Sequence, residues 1–398
     1  MIFTKDLEIC KYILSASAEI GDYRKPPDSS GVMIKLARNS ILMSEESQWK
    51  FHRSLLSPSF TGIQCNLMKP IINQCIDRQI ANLLSLSKND TVINVDIQKE
   101  NTKLTFDIIG QLSIGYNFKS IEGQSEISNH FTFILNEMIK PIRRLSSWIP
   151  LPSDWLLFRY IREFDQITIM AINHRKQGTS SMYKSNFLLD SLISSKQSLN
   201  QDVIIGNINT FLLAGHETSS NLLTFVYYLL CKHQSIQEEL YQQINVLQEN
   251  SPLLDWVINE TLRLYPPAPM VARSRHNKYD DILPGNIRIS HDTLILISIY
   301  AIHRDTRHWG EDANQFNPYR WKDIPDASRL PYFLPFSQGS RICIGKQFTQ
   351  IESKLIISKM LQTFHLQISK AEESKFKIYQ RATLTIKNPI HLILNKRL

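Results

Sequence analysis

Residues 336–345 read Phe-Ser-Gln-Gly-Ser-Arg-Ile-Cys-Ile-Gly, and the interpretation of the whole chain depends on this stretch. Cys343 lies between two glycines, of which Gly345 is the second. Arg341 precedes the thiol by two residues and Phe336 precedes it by seven. Because glycine allows positive φ and close approach of the backbone to another group, the stretch predicts a tight loop built around one cysteine. A lone buried cysteine in an ordinary surface loop would not need residues at these spacings.

A thiolate in such a loop is suited to binding a metal. Backbone N–H groups of the loop can donate hydrogen bonds to the sulfur and so tune the metal that it binds. Arg341 could pair with an anionic group on the same ligand. Ligation through sulfur suits a haem iron, where the thiolate favours cleavage of an O–O bond. The loop is therefore a candidate metal site, and its chemistry suits a haem iron bound through Cys343.

The composition allows a large core and excludes one class of partner. The chain has 398 residues and 42% hydrophobic content, which is ample for a large folded core. Its net charge is +8, with lysines and arginines spread along the whole sequence. A diffuse positive charge favours acidic protein partners or an anionic membrane surface. A compact basic arm with interleaved aromatic residues is absent from the sequence, so we do not expect a nucleic-acid partner.

The cysteines and the apolar runs indicate which cellular compartment suits the protein. The five cysteines form no CxxC pair, which disfavours a zinc site and a disulfide framework and fits a reducing compartment. No apolar run in the sequence reaches the roughly 18 residues that a membrane-spanning helix needs. The first thirteen residues mix polar and apolar groups, unlike a signal peptide.

Residues 203–232 form the longest helical pattern and carry Ala214-Gly215-His216-Glu217-Thr218 near their middle. Glycine and threonine weaken a helix at such a position. A helix that accepts them can open locally and present the Thr218 hydroxyl and the Glu217 carboxylate to a ligand. An acid and an alcohol placed together could relay protons to bound oxygen. Taken alone, the stretch is also compatible with a threonine that only packs or caps.

Two further pairs of side chains share helix faces. Glu260 and Arg263 lie three residues apart in a helix predicted over 254–264, although surface pairs at this spacing are common and weak. Trp49 and Arg53 lie four residues apart in a helix predicted over 45–56. An indole N–H beside a guanidinium suits a carboxylate, and a packed tryptophan beside a solvated arginine is the alternative.

Residues 140–160 mix basic groups, apolar groups and prolines. This composition is typical of a loop that touches a membrane surface, and an ordinary proline-rich connection is the alternative. Residues 282–300 alternate like a hairpin with a turn at 284–286. Residues 346–364 are predicted to be helical and residues 375–394 to form strands.

Together these motifs resemble the cytochrome P-450 family. The cysteine loop resembles its haem-binding signature, residues 214–219 resemble its oxygen-activating helix motif, and Glu260-x-x-Arg263 resembles its ExxR pair. Residues 316–321, which contain Arg320, resemble its aromatic-Pro-x-Arg loop, and Trp49 with Arg53 matches its WxxxR helix. The motifs occur in family order from near residue 5 to the C-terminus. The resemblance implies a mainly α fold with a small β-rich lobe, formed by residues 1–398 as a single domain.

The resemblance also implies a role for each motif residue. Cys343 would be the axial ligand of haem b, iron protoporphyrin IX. Glu217 and Thr218 would deliver protons to bound dioxygen. Four residues would contact the haem propionates: Trp49, Arg53, Arg273 and Arg341. Phe336 would pack beside the haem, and Ala214 would leave room for dioxygen. Gly345 completes the implied set of cofactor-binding residues. Glu260, Arg263 and Arg320 would form a buried charge network behind the cysteine loop.

The implied reaction inserts one atom of O₂ into a small apolar organic substrate and releases the other as water. Electrons would come from NADPH through an NADPH–cytochrome reductase, with cytochrome b5 as a further candidate donor. Lys346, beside the cysteine loop, is a candidate contact for the reductase. The motif forms are similar to the eukaryotic microsomal branch, which implies the cytosolic face of the endoplasmic reticulum membrane. We expect a monomer.

Two departures from the family pattern bear on the function. It starts where the first sheet of the family is under way, so we expect the anchor, the first helix and the first strand to be missing. The region between Leu240 and Leu254 is shorter than is usual in the family. Two alternatives therefore stay open: a haem-thiolate isomerase or dehydratase that needs no O₂, and an inactive truncated fragment that binds haem poorly.

Overall fold

The computed structural model describes residues 1–19, 23–26, 31–86, 92–125, 127–140, 151–177, 187–195, 199–276 and 279–397. The chain divides into two compact units. The first unit comprises Met1–Pro27, Phe225–Lys346 and Thr383–Thr385. The second comprises Asp28–Thr224, Gln347–Ala382 and Ile386–Leu398. The single domain over 1–398 stays a prediction.

The described residues are mostly helical with small sheets, which confirms the predicted fold class. The α-helices in chain order are α1 Leu7–Glu19, α2 Val32–Ala37, α3 Glu46–Leu56, α4 Gly62–Ser85, α5 Ile97–Ile114, α6 Ile127–Met138, α7 Asp154–Lys176, α8 Phe187–Ile193, α9 Gln201–Lys232, α10 Gln234–Leu247, α11 Pro252–Leu264, α12 Ile299–Ile302, α13 Thr306–Trp309, α14 Lys346–Thr363 and α15 Lys370–Glu373. In the described part of the chain, none of the helices combines the length and the apolar content that crossing a membrane requires.

The strands are short. In chain order they are β1 Ile2–Thr4, β2 Tyr23–Arg24, β3 Val92–Asp96, β4 Met270–Arg275, β5 Asp281–Leu283, β6 Ile287–Ile289, β7 Leu294–Ser298, β8 Phe364–Gln367, β9 Ile378–Gln380, β10 Leu384–Ile386 and β11 His391–Lys396. The predicted hairpin is confirmed as β5 and β6, which pair antiparallel. Its turn places Gly285 and Asn286 at φ 81° and 59°, the backbone conformation that glycine and asparagine tolerate best.

The sheet of the first unit has the strand order β1-β7-β4-β2. β1 runs parallel to β7, and the other neighbours are antiparallel. β7 is an apolar strand in which Ile295 and Ile297 are fully buried, and both belong to a core shared with Ile13 and Leu14 of α1. Burial of alternate β-branched residues on one face explains why this stretch forms a strand. This core fixes β7 in place, and the chain continues from β7 to residues of the candidate site.

The second unit packs helices around an aromatic cluster and carries the three-stranded sheet β3-β11-β8. α5 starts at an N-cap in which the Asp96 side chain accepts a hydrogen bond from the Lys99 N–H, and it ends at Gly115 with φ 69°. Within the unit, Phe106 of α5 contacts Phe131 and Phe164 at ring-centroid distances of 5.4 and 6.5 Å. These contacts hold α5, α6 and α7 together.

The predicted loop over 140–160 is wrong at its C-terminal end. Residues 141–150 lie outside the described residues, but Asp154 begins α7. Leu157, Ile161 and Phe164 are buried at helical spacing along α7. This apolar repeat outweighs the proline content of the preceding residues, because burial of one helix face provides most of the stability of a helix.

The chain between α7 and α9 is described only in part. Residues 178–186 and 196–198 lie outside the described residues, and the helix between them covers Phe187–Ile193. The helices predicted over 45–56, 203–232, 254–264 and 346–364 are confirmed, each within about two residues at its ends.

Candidate active site

The cysteine loop belongs to the first unit and is closed by three backbone hydrogen bonds. Ser337 N–H donates to the Leu334 carbonyl at 3.0 Å, and Ile342 N–H donates to the Gly339 carbonyl at 3.1 Å. Cys343 N–H donates to the Phe336 carbonyl at 2.9 Å. These bonds fold the loop back on itself, and Cys343 is exposed while the other four cysteines are buried. The loop thus leaves the Cys343 thiol accessible to a ligand.

Gly339 fastens the loop to helix α1. Its φ is +74°, and a Cβ atom at this position would lie 2.5 Å from the Leu14 carbonyl oxygen. Only glycine fits both the backbone conformation and the close approach. Gly345 is different, since a Cβ there would make an ordinary contact of 3.9 Å with the Cys343 Sγ.

The four buried cysteines are poor candidates for a metal-bound thiolate. Burial raises the pKa of Cys10 to about 12 and the pKa of Cys65 and of Cys75 to about 11. Burial also raises the pKa of Cys231. These raised pKa values keep the four side chains neutral at ordinary pH. Neutral thiols are poor metal ligands, because a metal binds the thiolate.

The donor available at the cysteine loop fits the requirement of a haem. Among the described residues, no group of three or more His, Cys, Asp and Glu side chains is arranged to hold a metal. A porphyrin brings four nitrogen ligands of its own and needs one protein donor, which a single exposed cysteine can supply. Cys343 is therefore a chemically suitable axial ligand, with Arg341 and Phe336 in the same loop.

The structure brings Glu260, Arg263 and Arg320 into one network. The Arg263 guanidinium binds both carboxylate oxygens of Glu260, at 2.9 Å from Nε and 2.8 Å from Nη2, and both side chains are 0% exposed. Arg320 Nε donates to Glu260 Oε1 at 3.0 Å. A bidentate pair of this kind fixes geometry as well as charge.

The remaining hydrogen-bonding capacity of Glu260 is also used. Trp321 Nε1–H donates to Oε2 at 3.0 Å, and the Asn317 backbone N–H donates to Oε1 at 2.9 Å. Arg320 Nη2 reaches the Asp312 carboxylate at 2.8 Å. The buried charges are thus paired and hydrogen-bonded, which is the condition under which burial of ions is tolerated.

The short crossing before Glu260 is closed by a helix cap. A 3₁₀ turn over Gln248–Asn250 joins α10 to α11. Ser251 is the N-cap of α11, where its Oγ accepts from Leu254 N–H at 3.2 Å and donates to Gln243 Oε1 at 2.9 Å. Pro252 follows at the first helical position, where proline is favoured. The network therefore forms on a well-capped helix.

The four residues that are predicted to contact the haem propionates lie on different elements. Arg273 is a buried residue of β4 whose Nη1 donates to the Ala272 carbonyl at 2.9 Å, and Arg341 lies half-buried in the cysteine loop. Both belong to the first unit. Trp49 and Arg53 belong to the second unit, where α3 places buried Trp49 and half-buried Arg53 one turn apart.

The central motif of α9 divides between two helix faces. On the first, a Cβ at Gly215 would lie 2.8 Å from Ile109 Cγ1, and the Thr105 hydroxyl donates to the His216 carbonyl at 2.9 Å. Gly215 is thus needed because α5 packs closely there. On the second face Ala214 is exposed, and the Thr218 hydroxyl donates to its carbonyl at 2.7 Å.

Sequence reasoning missed Glu352, a fully buried carboxyl on α14. Ser219, which follows Thr218 in α9, donates from Oγ to Glu352 Oε2 at 2.6 Å. Burial raises the pKa of Glu352 to about 8, so the group is largely protonated at neutral pH. Its position between buried Phe348 and Ile356, four residues to either side, is the sequence signal that could have revealed it.

Comparisons with known proteins identify the family. The family model described as cytochrome P-450 matches residues 1–394. The chain is 43% identical to probable cytochrome P-450 525A1 of Dictyostelium discoideum over 482 aligned positions, which cover 100% of this chain and 79% of that protein. The alignment is longer than this chain, so that relative has internal residues without a counterpart here.

More distant relatives come from plants and animals. A cytokinin hydroxylase of Arabidopsis thaliana is 31% identical, with 83% of this chain and 67% of that protein covered. Cytochrome P-450 3A13 of Mus musculus is 29% identical, with 90% of this chain and 76% of that protein covered. The family match extends over nearly the whole chain and includes the cysteine loop, the ExxR pair and the central helix motif. The chain belongs to the cytochrome P-450 family of haem-thiolate monooxygenases.

Proposed function

We propose that this monooxygenase inserts an oxygen atom into a small apolar organic substrate and takes its electrons from an NADPH-dependent reductase. The observation that carries the proposal is the exposed thiol of Cys343 in a loop closed by its own backbone hydrogen bonds. Haem bound to this thiolate supplies the activation of O₂. The protein supplies the ligand, the anchoring of the haem and the protons.

In the first unit, Cys343 would hold the haem iron through its sulfur, and Arg273 and Arg341 would be cations for the haem carboxylates. Phe336 would pack beside the haem, and Gly345 lies next to the thiol in the same loop. The Trp49 indole N–H and the Arg53 guanidinium, both on α3, would be further donors to the haem carboxylates. Guanidinium groups suit this task because their charge and geometry match a carboxylate.

Thr218 and Glu217 are the proposed proton carriers. The Thr218 hydroxyl now donates to the Ala214 carbonyl, and a rotation about χ1 would release it to a ligand above Ala214. Glu217 is half-exposed, so its carboxylate can exchange protons with water. A carboxylic acid that returns a proton to a neighbouring hydroxyl group is a common arrangement for proton transfer.

The redox partner is proposed from charge and from family resemblance. A net charge of +8 favours an acidic partner surface, and Lys346 directly follows the cysteine loop. An NADPH–cytochrome reductase fits this pattern, with cytochrome b5 as a second donor. We place the protein at the cytosolic face of the endoplasmic reticulum membrane as a monomer.

The test uses the purified, haem-loaded chain with an NADPH–cytochrome reductase. The reduced, CO-bound protein is expected to show the absorption band diagnostic of a haem thiolate, and Cys343→Ser is expected to abolish that band. Absence of the band in folded, haem-loaded protein would refute the proposal. A binding-shift screen with sterols, fatty acids, terpenoids and aromatic compounds would then identify the substrate class.

Two alternatives have distinct readouts. An isomerase or dehydratase would show the thiolate band but consume neither O₂ nor NADPH while it converts its substrate. An inactive fragment would fail to retain haem. The internal residues that the Dictyostelium relative has in addition are the observation that keeps the second alternative open. Haem content after gel filtration, compared with that of the relative prepared in parallel, separates it from an active enzyme.

A further inference from the structure

His303 lies where the Glu260–Arg263 helix and the start of the cysteine loop come together in the first unit. It directly follows α12 and is completely buried. Its Nδ1 lies 3.1 Å from the carbonyl oxygen of Arg263, and its Nε2 lies 2.8 Å from the backbone nitrogen of Leu334. One imidazole thus joins residues that are far apart in the sequence.

The two contacts leave only one tautomer. The Leu334 N–H can only donate, so Nε2 must accept and carries no proton. The ring proton is therefore on Nδ1, where it donates to the Arg263 carbonyl. Burial, and to a smaller extent the charge of Arg263, lower the pKa of His303 to about 3, which keeps the ring neutral over the working range of a protein.

Aromatic neighbours prevent the ring from turning. Phe333 stacks on the imidazole with ring centroids 5.4 Å apart and an interplanar angle of 28°. Trp309 approaches edge-on at 6.4 Å and lies under the Arg263 guanidinium, whose Cζ is 5.0 Å from the indole centroid. The imidazole is therefore held by packing as well as by its two hydrogen bonds.

The contact continues into the loop. The Leu334 carbonyl accepts from Ser337 N–H at 3.0 Å, and the Phe336 carbonyl accepts from Cys343 N–H at 2.9 Å. Short backbone bonds thus lead from the residue that His303 holds to the residue that carries the thiol. A displacement of Leu334 would be passed to Phe336 and from there to Cys343.

We propose that His303 is a positioning residue that transfers the fixed geometry of the Glu260–Arg263 helix to the cysteine loop and so sets the position of the Cys343 sulfur. The proposal rests on the proposed role of Cys343 as haem ligand. It assigns to one imidazole the mechanical link between the buried charge network and the thiolate.

Two substitutions separate the two hydrogen bonds. A glutamine carbonyl can reach the position of Nε2, so His303→Gln keeps an acceptor for the Leu334 N–H. An asparagine amide reaches only the position of Nδ1, so His303→Asn keeps the bond to Arg263 and leaves the Leu334 N–H unpaired. The control is His308→Gln, a nearby histidine that stacks on Tyr332 at 5.1 Å.

The primary readout is the stability of the thiolate spectrum in the haem-loaded protein. In the reduced CO complex of His303→Asn we expect the thiolate band to convert about tenfold faster to the band of a protein without thiolate ligation, since an unpaired buried N–H weakens the loop. His303→Gln keeps the acceptor for Leu334 but loses the bond to the Arg263 carbonyl, so it should convert at a rate between those of His303→Asn and the wild type. His308→Gln should convert at the wild-type rate. The haem reduction potential should shift most in His303→Asn, less in His303→Gln and not in His308→Gln.

The outcomes are separable. A purely structural role would lower the unfolding midpoint of both His303 variants and leave the spectrum per bound haem unchanged, which would overturn the proposal. Equal conversion rates for His303→Asn and the wild type would also overturn it. A wild-type protein without the thiolate band would instead refute the function proposed for Cys343.

A measurement on the unmodified protein keeps the proposal testable if His303→Asn fails to fold. The reduced CO complex is diamagnetic, so ¹⁵N chemical shifts of histidine report the tautomer. We expect His303, assigned by its absence from the spectrum of His303→Gln, to be neutral with its proton on Nδ1. A proton on Nε2 would exclude the bond from Leu334 and would overturn the proposal.

Discussion

At the scale of single residues, Thr218 carries the clearest prediction for catalysis. Thr218→Val keeps the shape of the side chain but removes its proton, so we expect product per NADPH consumed to fall about tenfold or more, with substrate binding unchanged. Thr210→Val is the matched control, because Thr210 makes the same 2.7 Å bond to the carbonyl four residues earlier in α9 but is buried. Equal product yields in the two variants would contradict the role of Thr218.

Glu352 carries the prediction for pH. Burial raises the pKa of Glu352 to about 8, well above that of a glutamate in the unfolded chain, so the folded state holds its proton where the unfolded state has lost it. The free energy of unfolding therefore decreases from roughly pH 4.5 to roughly pH 8, by up to about 1.4 kcal/mol per pH unit. Glu352→Gln removes this dependence and should become more stable relative to the wild type as the pH rises through this range.

Urea unfolding at pH 5 and pH 8 measures the effect, and exposed Glu311→Gln is the control. The difference in unfolding free energy between the Glu352 variant and the wild type should grow between the two pH values. The same difference for the Glu311 variant should stay constant. A pH-independent difference for Glu352→Gln would show that this carboxyl ionises in the folded protein as it does in the unfolded chain.

At the scale of elements, the network between α11 and the loop before Trp321 is the main test. Glu260→Ala leaves the buried Arg263 and the half-buried Arg320 without their carboxylate, and we expect a loss of about 3–5 kcal/mol in the free energy of unfolding. Arg329→Ala is the control, since it removes an arginine that is 85% exposed and pairs with Asp326 at 3.1 Å. Denaturant midpoints should move for the first variant and not for the second.

At the scale of the whole molecule, the charge of +8 carries a prediction for the redox partner. Raising the ionic strength from about 0.01 to about 0.15 M shortens the Debye length from about 30 to about 8 Å, so the rate at low reductase concentration should fall about tenfold. Lys346→Glu should slow reduction more than Lys176→Glu, a reversal of the same charge on an exposed lysine of α7. A rate that is independent of salt would exclude docking by charge.

The sequence and the structure agree best where the signal is local. The helices α3, α9, α11 and α14 and the hairpin β5–β6 were all predictable, because their apolar periods and turn residues lie within a few positions of each other. The loop over 140–160 was predicted wrongly at residues 154–160. Proline content is also a local signal, but the buried face of α7 is defined by residues on other helices.

The features of the candidate site also fall into those that a short motif predicts and those that depend on the folded chain. The sequence by itself determined the cysteine loop, the acid–alcohol pair and the ExxR pair, since each is a short motif whose chemistry depends on neighbouring residues. Only the tertiary structure decided that Gly339 faces the Leu14 carbonyl and that His303 joins Arg263 to Leu334. It also decided that Glu352 is buried beside Ser219. Burial and hydrogen bonds between distant residues arise only when the chain has folded, and they determine protonation and position more than residue type does.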